Sequence, residues 1–354
     1  MRNCALRDEH VKGIRMDARR PSLNVIAWNN GVGLSRDMTL LQEALSKAGF
    51  DVSLTRIGRG KLRKWFRPSL VRARHALRRM LGRSPRHDAT LMLEHIRPEE
   101  FGGARLHFFV PNPEWCLESD LVVLPQIDAV LTKTHHASEI FSKRGRPVSH
   151  IGFTSEDRHD PSVPRERAFF HLAGRSANKG TAALCALWAS HPEWPVLTIV
   201  QSRRSAVPVT QADNIDYRLD YLDDAELRRL QNAHWFHLCP SETEGFGHYL
   251  LEAMSVGAIA ITTDAPPMNE LVACERGLLV RYARTGTQNL ATTFYFDEVA
   301  MEAAISAAIA MTEDEVRAMG ASARDWFIAN HQSFPQRLHA AVSPLLTAAS
   351  ASHG

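Results

Sequence analysis

No apolar run in these 354 residues approaches the ~20 that a membrane-spanning helix requires, so no such span is expected. Cysteine is scarce: Cys4, Cys116, Cys185, Cys239 and Cys274 are odd in number, scattered and free of C-x-x-C spacing. That argues against a disulfide framework or a thiolate zinc site and for a reducing compartment. Residues 1–20 carry Arg, Asp, Glu and Lys but no apolar core, so they do not read as a secretory signal. D-x-D and H-E-x-x-H are both missing, and neither metal nor cofactor is expected. Acidic residues are absent from Val52 to His87, a stretch that holds twelve Arg and Lys although the net charge of the chain is only +3. With 44% hydrophobic and 23% charged residues, the whole is a globular composition, neither disordered nor fibrous.

What is present is an alternation of strand and helix signals. Leu23–Trp28 is a short apolar run closed by Asn29-Asn30-Gly31-Val32-Gly33, and Met38, Leu41, Leu45 and Ala48 then recur at helical spacing up to Gly49. A strand at Val52–Thr55 completes a β-α-β unit, and others read at Ala89–Met92, Leu106–Val110 and Ala129–Thr132. The pattern lapses into charged and Pro-rich sequence, then restarts with strands at Phe169–Ala173, Val196–Val200, Trp235–Cys239 and Ala258–Thr262. This predicts an α/β chain of two Rossmann-like parallel-sheet domains facing across a cleft. The expected boundaries are an N-terminal extension over 1–21, a first domain over 22–151, a linker over 152–167 and a second domain over 168–332. A C-terminal helix over 333–354 is expected to pack back on the first domain, and an S/T-x-x-E cap at Thr312–Glu315 starts the helical region before it. In open parallel sheets ligands bind beyond the carboxyl ends of the strands, so the loops there should hold the chemistry.

Two such loops stand out. Gly174-Arg175-Ser176-Ala177-Asn178-Lys179-Gly180 closes a strand with two cations four positions apart before a helix, which suits a diphosphate as well as it suits a solvated helix start. Glu244-Gly245-Phe246-Gly247-His248-Tyr249-Leu250-Leu251-Glu252 sets two carboxylates eight positions apart across a glycine-broken turn and a helix start. Free N–H groups and the helix dipole favour an anion there, and a carboxylate can hold the hydroxyls of a ribose. His248 lies one turn before Glu252, as a pairing partner or a ligand contact.

Together these residues resemble the retaining nucleotide-sugar glycosyltransferases of GT-B fold, family four in the usual classification. The likeness runs through Ala173-Gly174-Arg175 with Lys179-Gly180, Asp223–Leu227 with Ala233, Pro240–Gly247, Leu250–Met254, Gly257, Thr263–Pro267 and Glu270–Val272. It implies a metal-independent hexosyltransferase in which Arg175 and Lys179 hold the donor diphosphate and Glu244 touches the transferred sugar. Glu252 would hold the ribose, with Phe246, Gly247, Leu251 and Gly174 completing the donor site. The leaving phosphate is then expected to help take the acceptor proton. The sequence departs from the family at Val200-Gln201-Ser202-Arg203, where a glycine-rich turn is usual, and in the first half, which matches only in outline.

The implied partners are a nucleotide-diphosphate sugar and a glycan or lipid-linked acceptor, as in the making of cell-envelope polysaccharide, at a cytoplasmic location. On the acceptor side Asn112, Glu114 and Trp115 follow one strand, and His135, within Thr132-Lys133-Thr134-His135-His136, follows another. Each set reads equally as structure, a Pro-stiffened turn and a solvated His pair. The basic segment, residues 61–86, places Leu62, Trp65, Phe66, Leu70, Ala73, Leu77, Met80 and Leu81 at helical spacing. It fits an anionic membrane surface or a helix packed on its own domain; with no recognised binding module, nucleic acid is not expected. A nucleotide-sugar epimerase and a non-catalytic nucleotide-binding scaffold remain as other uses of the same fold. An NAD dehydrogenase fits less well, because Asp51 precedes the second strand instead of ending it.

Overall fold

The computed structural model describes residues 19–28, 33–58, 61–206, 212–220 and 222–351. The loop residues Asn29–Val32 and most of the N-terminal extension, singled out above, lie outside them.

The first half alternates β1 (Ser22–Trp28), α1 (Gly33–Lys47), β2 (Asp51–Ile57), α2 (Lys61–Met80), β3 (His87–Leu93), β4 (Ala104–Val110), α3 (Glu118–Val123), β5 (Ala129–Thr132), α4 (His135–Ser142) and β6 (Val148–His150). Its six strands are parallel in the order β2-β1-β3-β4-β5-β6. Asp51 is the first residue of β2, at the strand end remote from the loops that follow β1 and β3.

The second half follows with β7 (Glu166–Gly174), α5 (Thr181–Ala189), β8 (Leu197–Gln201), β9 (Ile215–Arg218), α6 (Asp224–Ala233), β10 (His234–Cys239), α7 (His248–Ser255), β11 (Ile259–Thr263), α8 (Met268–Leu271) and β12 (Gly277–Val280). These strands are also parallel, in the order β12-β11-β10-β7-β8-β9. An antiparallel hairpin, β13 (Tyr282–Gln288) and β14 (Ala291–Phe296), precedes α9 (Glu298–Ala310) and α10 (Glu313–Ala351). The fold is α/β with two Rossmann-like parallel sheets.

Both sheets are covered on both faces, which is why β8 (LTIVQ) and β11 (IAITT) are buried at every position instead of alternating. Chain order reverses between β1 and β3 in the first sheet and between β7 and β10 in the second. A crevice opens beyond the carboxyl ends of the strands at such reversals, so four loops are favoured as ligand sites: those after β1, β3, β7 and β10.

One apolar cluster joins the halves. Leu41, Leu45 and Phe50 of the first meet Leu250 and Met254 of α7 and Phe327, Phe334 and Leu338 of α10. Phe153 between the sheets packs edge-on against Phe246 (5.3 Å) and Phe334 (5.0 Å). Helix α10 runs through Pro335 and Pro344 without a break at 333, and Arg337 Nε donates to the Ile151 carbonyl at 2.9 Å.

Candidate active site

The loops after β7 and β10 bring cations to carboxylates. Lys179 pairs with Glu244 and lies 3.4 Å from the centroid of the Tyr249 ring. Ser241 Oγ donates to Glu244 Oε1 at 2.5 Å and lies 2.5 Å from the Tyr249 hydroxyl. Glu244 is therefore oriented by one charged and one neutral donor. Arg175 sits on the same loop as Lys179, exposed and in no ion pair with a described residue. Gly174, at φ 57°, accepts from Ser202 N at 2.7 Å.

Glu252, in the middle of α7, is buried; Gln231 Nε2 donates to it at 2.7 Å and Arg36 of α1 pairs with it from the other half. Side chains of Phe246 and Leu251 belong to the apolar core. Gly247, at φ 103°, precedes α7.

From the first half, Asp37 of α1 meets Lys133 after β5 at 2.5 Å and His248 Nε2 at 2.6 Å, while His248 Nδ1 reaches Ser155 Oγ at 2.6 Å. Burial works to raise the Asp37 carboxyl, but the charges and hydrogen bonds of Lys133 and His248 outweigh it and hold it well below the usual range. Lys133 Nζ also donates to Asn112 Oδ1 at 3.0 Å, and Asn112 Nδ2 donates to Glu94 Oε2 at 3.4 Å. Glu94, after β3, has φ 66°, a strained value for a residue other than glycine, and burial raises its pKa.

Asn112 and Glu114 face the loop after β10 directly: a Cβ on Gly245 would stand 2.5 Å from Asn112 Oδ1 and 2.8 Å from Glu114 Oε1, so a larger residue there would force these side chains to shift. The hairpin holds the backbone of that turn, since Leu290 N donates to Pro113 O at 3.2 Å, Gln288 Nε2 to Glu114 O at 3.2 Å and Asn289 Nδ2 to Glu114 O at 2.6 Å. Trp115 is half exposed. The His135 ring packs against His150, 3.8 Å between centroids and tilted by 34°, while its backbone N–H and that of His136 donate to the Glu270 carboxylate at 2.6 and 2.7 Å. Burial and the neighbouring His135 push His150 down to about 4.

The structure thus brings Glu244 to Lys179 and sets Asn112 and Glu114 against the neighbouring Gly245, while Glu252 is held by Gln231 and Arg36 and His135 is engaged elsewhere. Sequence reasoning missed Asp37, Glu94, Ser241 and Gln231 as parts of the site. The available signal was position: Asp37, Glu94 and Ser241 follow β1, β3 and β10, the strands at the two reversals of chain order.

Solved structures share this architecture. Sucrose-phosphate synthase from Thermosynechococcus elongatus superposes with a TM-score of 0.70 at 16% identity, covering 93% of this chain and 100% of that one. The E. coli structure titled trehalose-6-phosphate bound with UDP-2-fluoro glucose gives 0.66 at 12% identity, covering 92% and 99%. Residues 217–284 match the family model described as Glycosyl transferases group 1. The chain has the GT-B fold and, over residues 217–284, is similar to the group 1 glycosyltransferases. That stretch spans α6, β10, α7 and β11, the elements that hold Gln231, Ser241, Glu244 and Glu252. A protein of Sulfolobus islandicus filamentous virus (isolate Iceland/Hveragerdi), named as glycosyltransferase 48, is 36% identical over 70 residues. The shared stretch is 20% of this GT-B chain and 23% of that relative, so the chain spans less than a quarter of the curated relative it matches.

Proposed function

We propose that the protein moves a hexose from a nucleotide-diphosphate donor to a hydroxyl of a glycan or glycolipid acceptor, with retention of configuration and without a metal ion. The observation that carries this reading is the Lys179–Glu244 pair, with Glu252 on the helix that follows, at the chain reversal between β7 and β10. Lys179 and the exposed Arg175 supply the positive charge that a departing diphosphate needs, where electrostatic stabilisation counts most. Glu244 would accept hydrogen bonds from the transferred sugar, and Glu252 from the ribose once Arg36 gives way. In the reaction the bond from C1 of the sugar to the phosphate oxygen breaks and a bond from C1 to the acceptor oxygen forms. The acceptor proton passes to the leaving phosphate. A uridine nucleotide is the first donor to try, since the E. coli neighbour binds UDP-2-fluoro glucose.

Thermal shift against UDP, GDP, ADP and their sugars identifies the donor, because a ligand bound only by the folded state raises apparent stability. With that donor, Glu244→Ala and Arg175→Ala are expected to abolish transfer while far-UV CD stays unchanged; full activity in both would sink the assignment. Sugar converted with no acceptor present would instead mark an epimerase.

We also infer that α2 rests on an anionic bilayer at the cytoplasmic face, which suits a lipid-linked, cell-envelope acceptor. Among the described residues no helix is long and apolar enough to cross a membrane, so attachment would be at the surface. The support is that α2 is inverted relative to a soluble amphipathic helix. Its inward side holds Arg67, paired with Glu99 (2.8 Å) and Glu100, and His75, while Trp65 (84% exposed), Phe66, Leu70, Leu77 and Met80 (83%) face outward. Exposed Arg72, Arg74 and Arg79 flank that stripe, as anionic headgroups require.

A further inference from the structure

Glu114 carries a buried carboxyl oxygen that no protein partner explains. Its side chain is only 6% exposed, yet its Oε2 has no hydrogen-bond partner among the described residues. Every neighbour is already engaged: Lys133 by Asp37 and Asn112, Asn112 by Lys133 and Glu94, Glu244 by Lys179 and Ser241. An unsatisfied buried carboxyl oxygen is costly, and a site that leaves one is set to receive a partner from outside. The position of Glu114 is also built: three hydrogen bonds from the β13–β14 hairpin fasten the backbone of its turn, and Gly245 closes against its other oxygen.

We propose that Glu114, with Glu94 and Asn112, forms the subsite for the acceptor, and that this subsite takes an uncharged, hydroxyl-bearing sugar and rejects one phosphorylated or carboxylated at the reacting end. The inference rests on the transfer reading and deepens it.

The charges decide the class. The charges of Glu94 and Glu244, in the loops after β3 and β10, and of Lys133, in the loop after β5, all act on Glu114. That lysine is already paired with Asp37, so among the described residues the cation that acts on Glu114 is already neutralised. Burial, reinforced by the Glu244 charge, pushes the Glu114 carboxyl up to about 8, so at neutral pH it keeps its proton. A protonated carboxyl both donates and accepts, which matches a sugar hydroxyl and needs no counter-charge. A phosphate in the same place would meet carboxylates on two sides.

Saturation-transfer NMR on the full chain, with UDP present and methyl α-D-glucopyranoside or glucose 6-phosphate as probes, tests this. The neutral glycoside is expected to show saturation and glucose 6-phosphate none. Glu114→Ala should weaken the glycoside by roughly tenfold, the loss of one buried hydrogen bond. Glu114→Gln, which keeps the shape and an uncharged donor, should retain it and controls for folding. Stronger saturation of glucose 6-phosphate, a glycoside signal indifferent to Glu114→Ala, no glycoside signal in the parent protein, or a folded Gln variant as weak as Ala would each overturn the proposal. The UDP signal reports on the donor reading separately, because neither variant touches Lys179, Glu244 or Glu252.

Discussion

A carboxyl buried beside other carboxyls keeps its proton, and for Glu114 this has a consequence that needs no substrate. In the unfolded chain it ionises near its ordinary value of 4.5, whereas in the folded protein it stays protonated up to about 8. Between those values the native state binds the extra proton, so the stability it contributes is complete below about 4.5 and is lost as pH rises towards 8. The ceiling on that slope is about 1.4 kcal/mol per pH unit. Glu114→Gln removes the titration, so its Tm is expected to climb relative to the parent across this window and to run parallel above it. A constant difference from acid to alkaline pH would show that Glu114 is ionised in the fold. The sequence displayed Glu244 and Glu252 because their spacing spans one turn and one helix start. Glu94 was not legible, since its role depends on a positive φ and on the partner Asn112, set by neighbouring strands of the sheet.

At the level of elements, periodicity showed that α2 has an apolar side and a basic one, but not which faces inward. That choice was made by Glu99 and Glu100, which draw Arg67 to the domain surface and turn the apolar stripe out. If the stripe meets lipid, the protein should sediment with phosphatidylglycerol vesicles, less with phosphatidylcholine, and the double variant Leu70→Ser, Leu77→Ser should remain in solution with an unchanged Tm. Equal sedimentation of parent and variant would rule out the apolar contact. The β13–β14 hairpin left no trace in the sequence reading. Its first strand, YARTGTQ, is largely exposed and polar, pairs only with β14, and so lacks the buried run by which the parallel strands are read. Yet it is this hairpin that holds Glu114.

Across the whole molecule the halves are fastened by contacts on the cleft walls: Arg36 with Glu252, Asp37 with His248, the hairpin with Glu114, and Glu270 with the amino end of α4. The last satisfies two N–H groups of one half with a carboxylate of the other, a cap whose removal typically costs about 1 kcal/mol. Glu270→Ala is therefore expected to lower stability by about that amount and, by loosening one wall, to increase the radius of gyration in solution scattering. An unchanged scattering profile would confine Glu270 to local capping.

What the sequence determined by itself was the repeated strand-helix pattern, two sheets and the glycine-broken loops after β7 and β10, because continuous apolar runs, glycine turns and helix starts are local signals that each segment carries alone. Only the tertiary structure decided the other wall. Glu94, Asn112, Glu114 and Lys133 come from the ends of three strands and Asp37 from the helix after a fourth, and they share no spacing; parallel pairing brings those ends to one edge. Partner and burial then decide which of these carboxyls is charged, as Lys133 and His248 do for Asp37 and the lack of any partner for Oε2 does for Glu114.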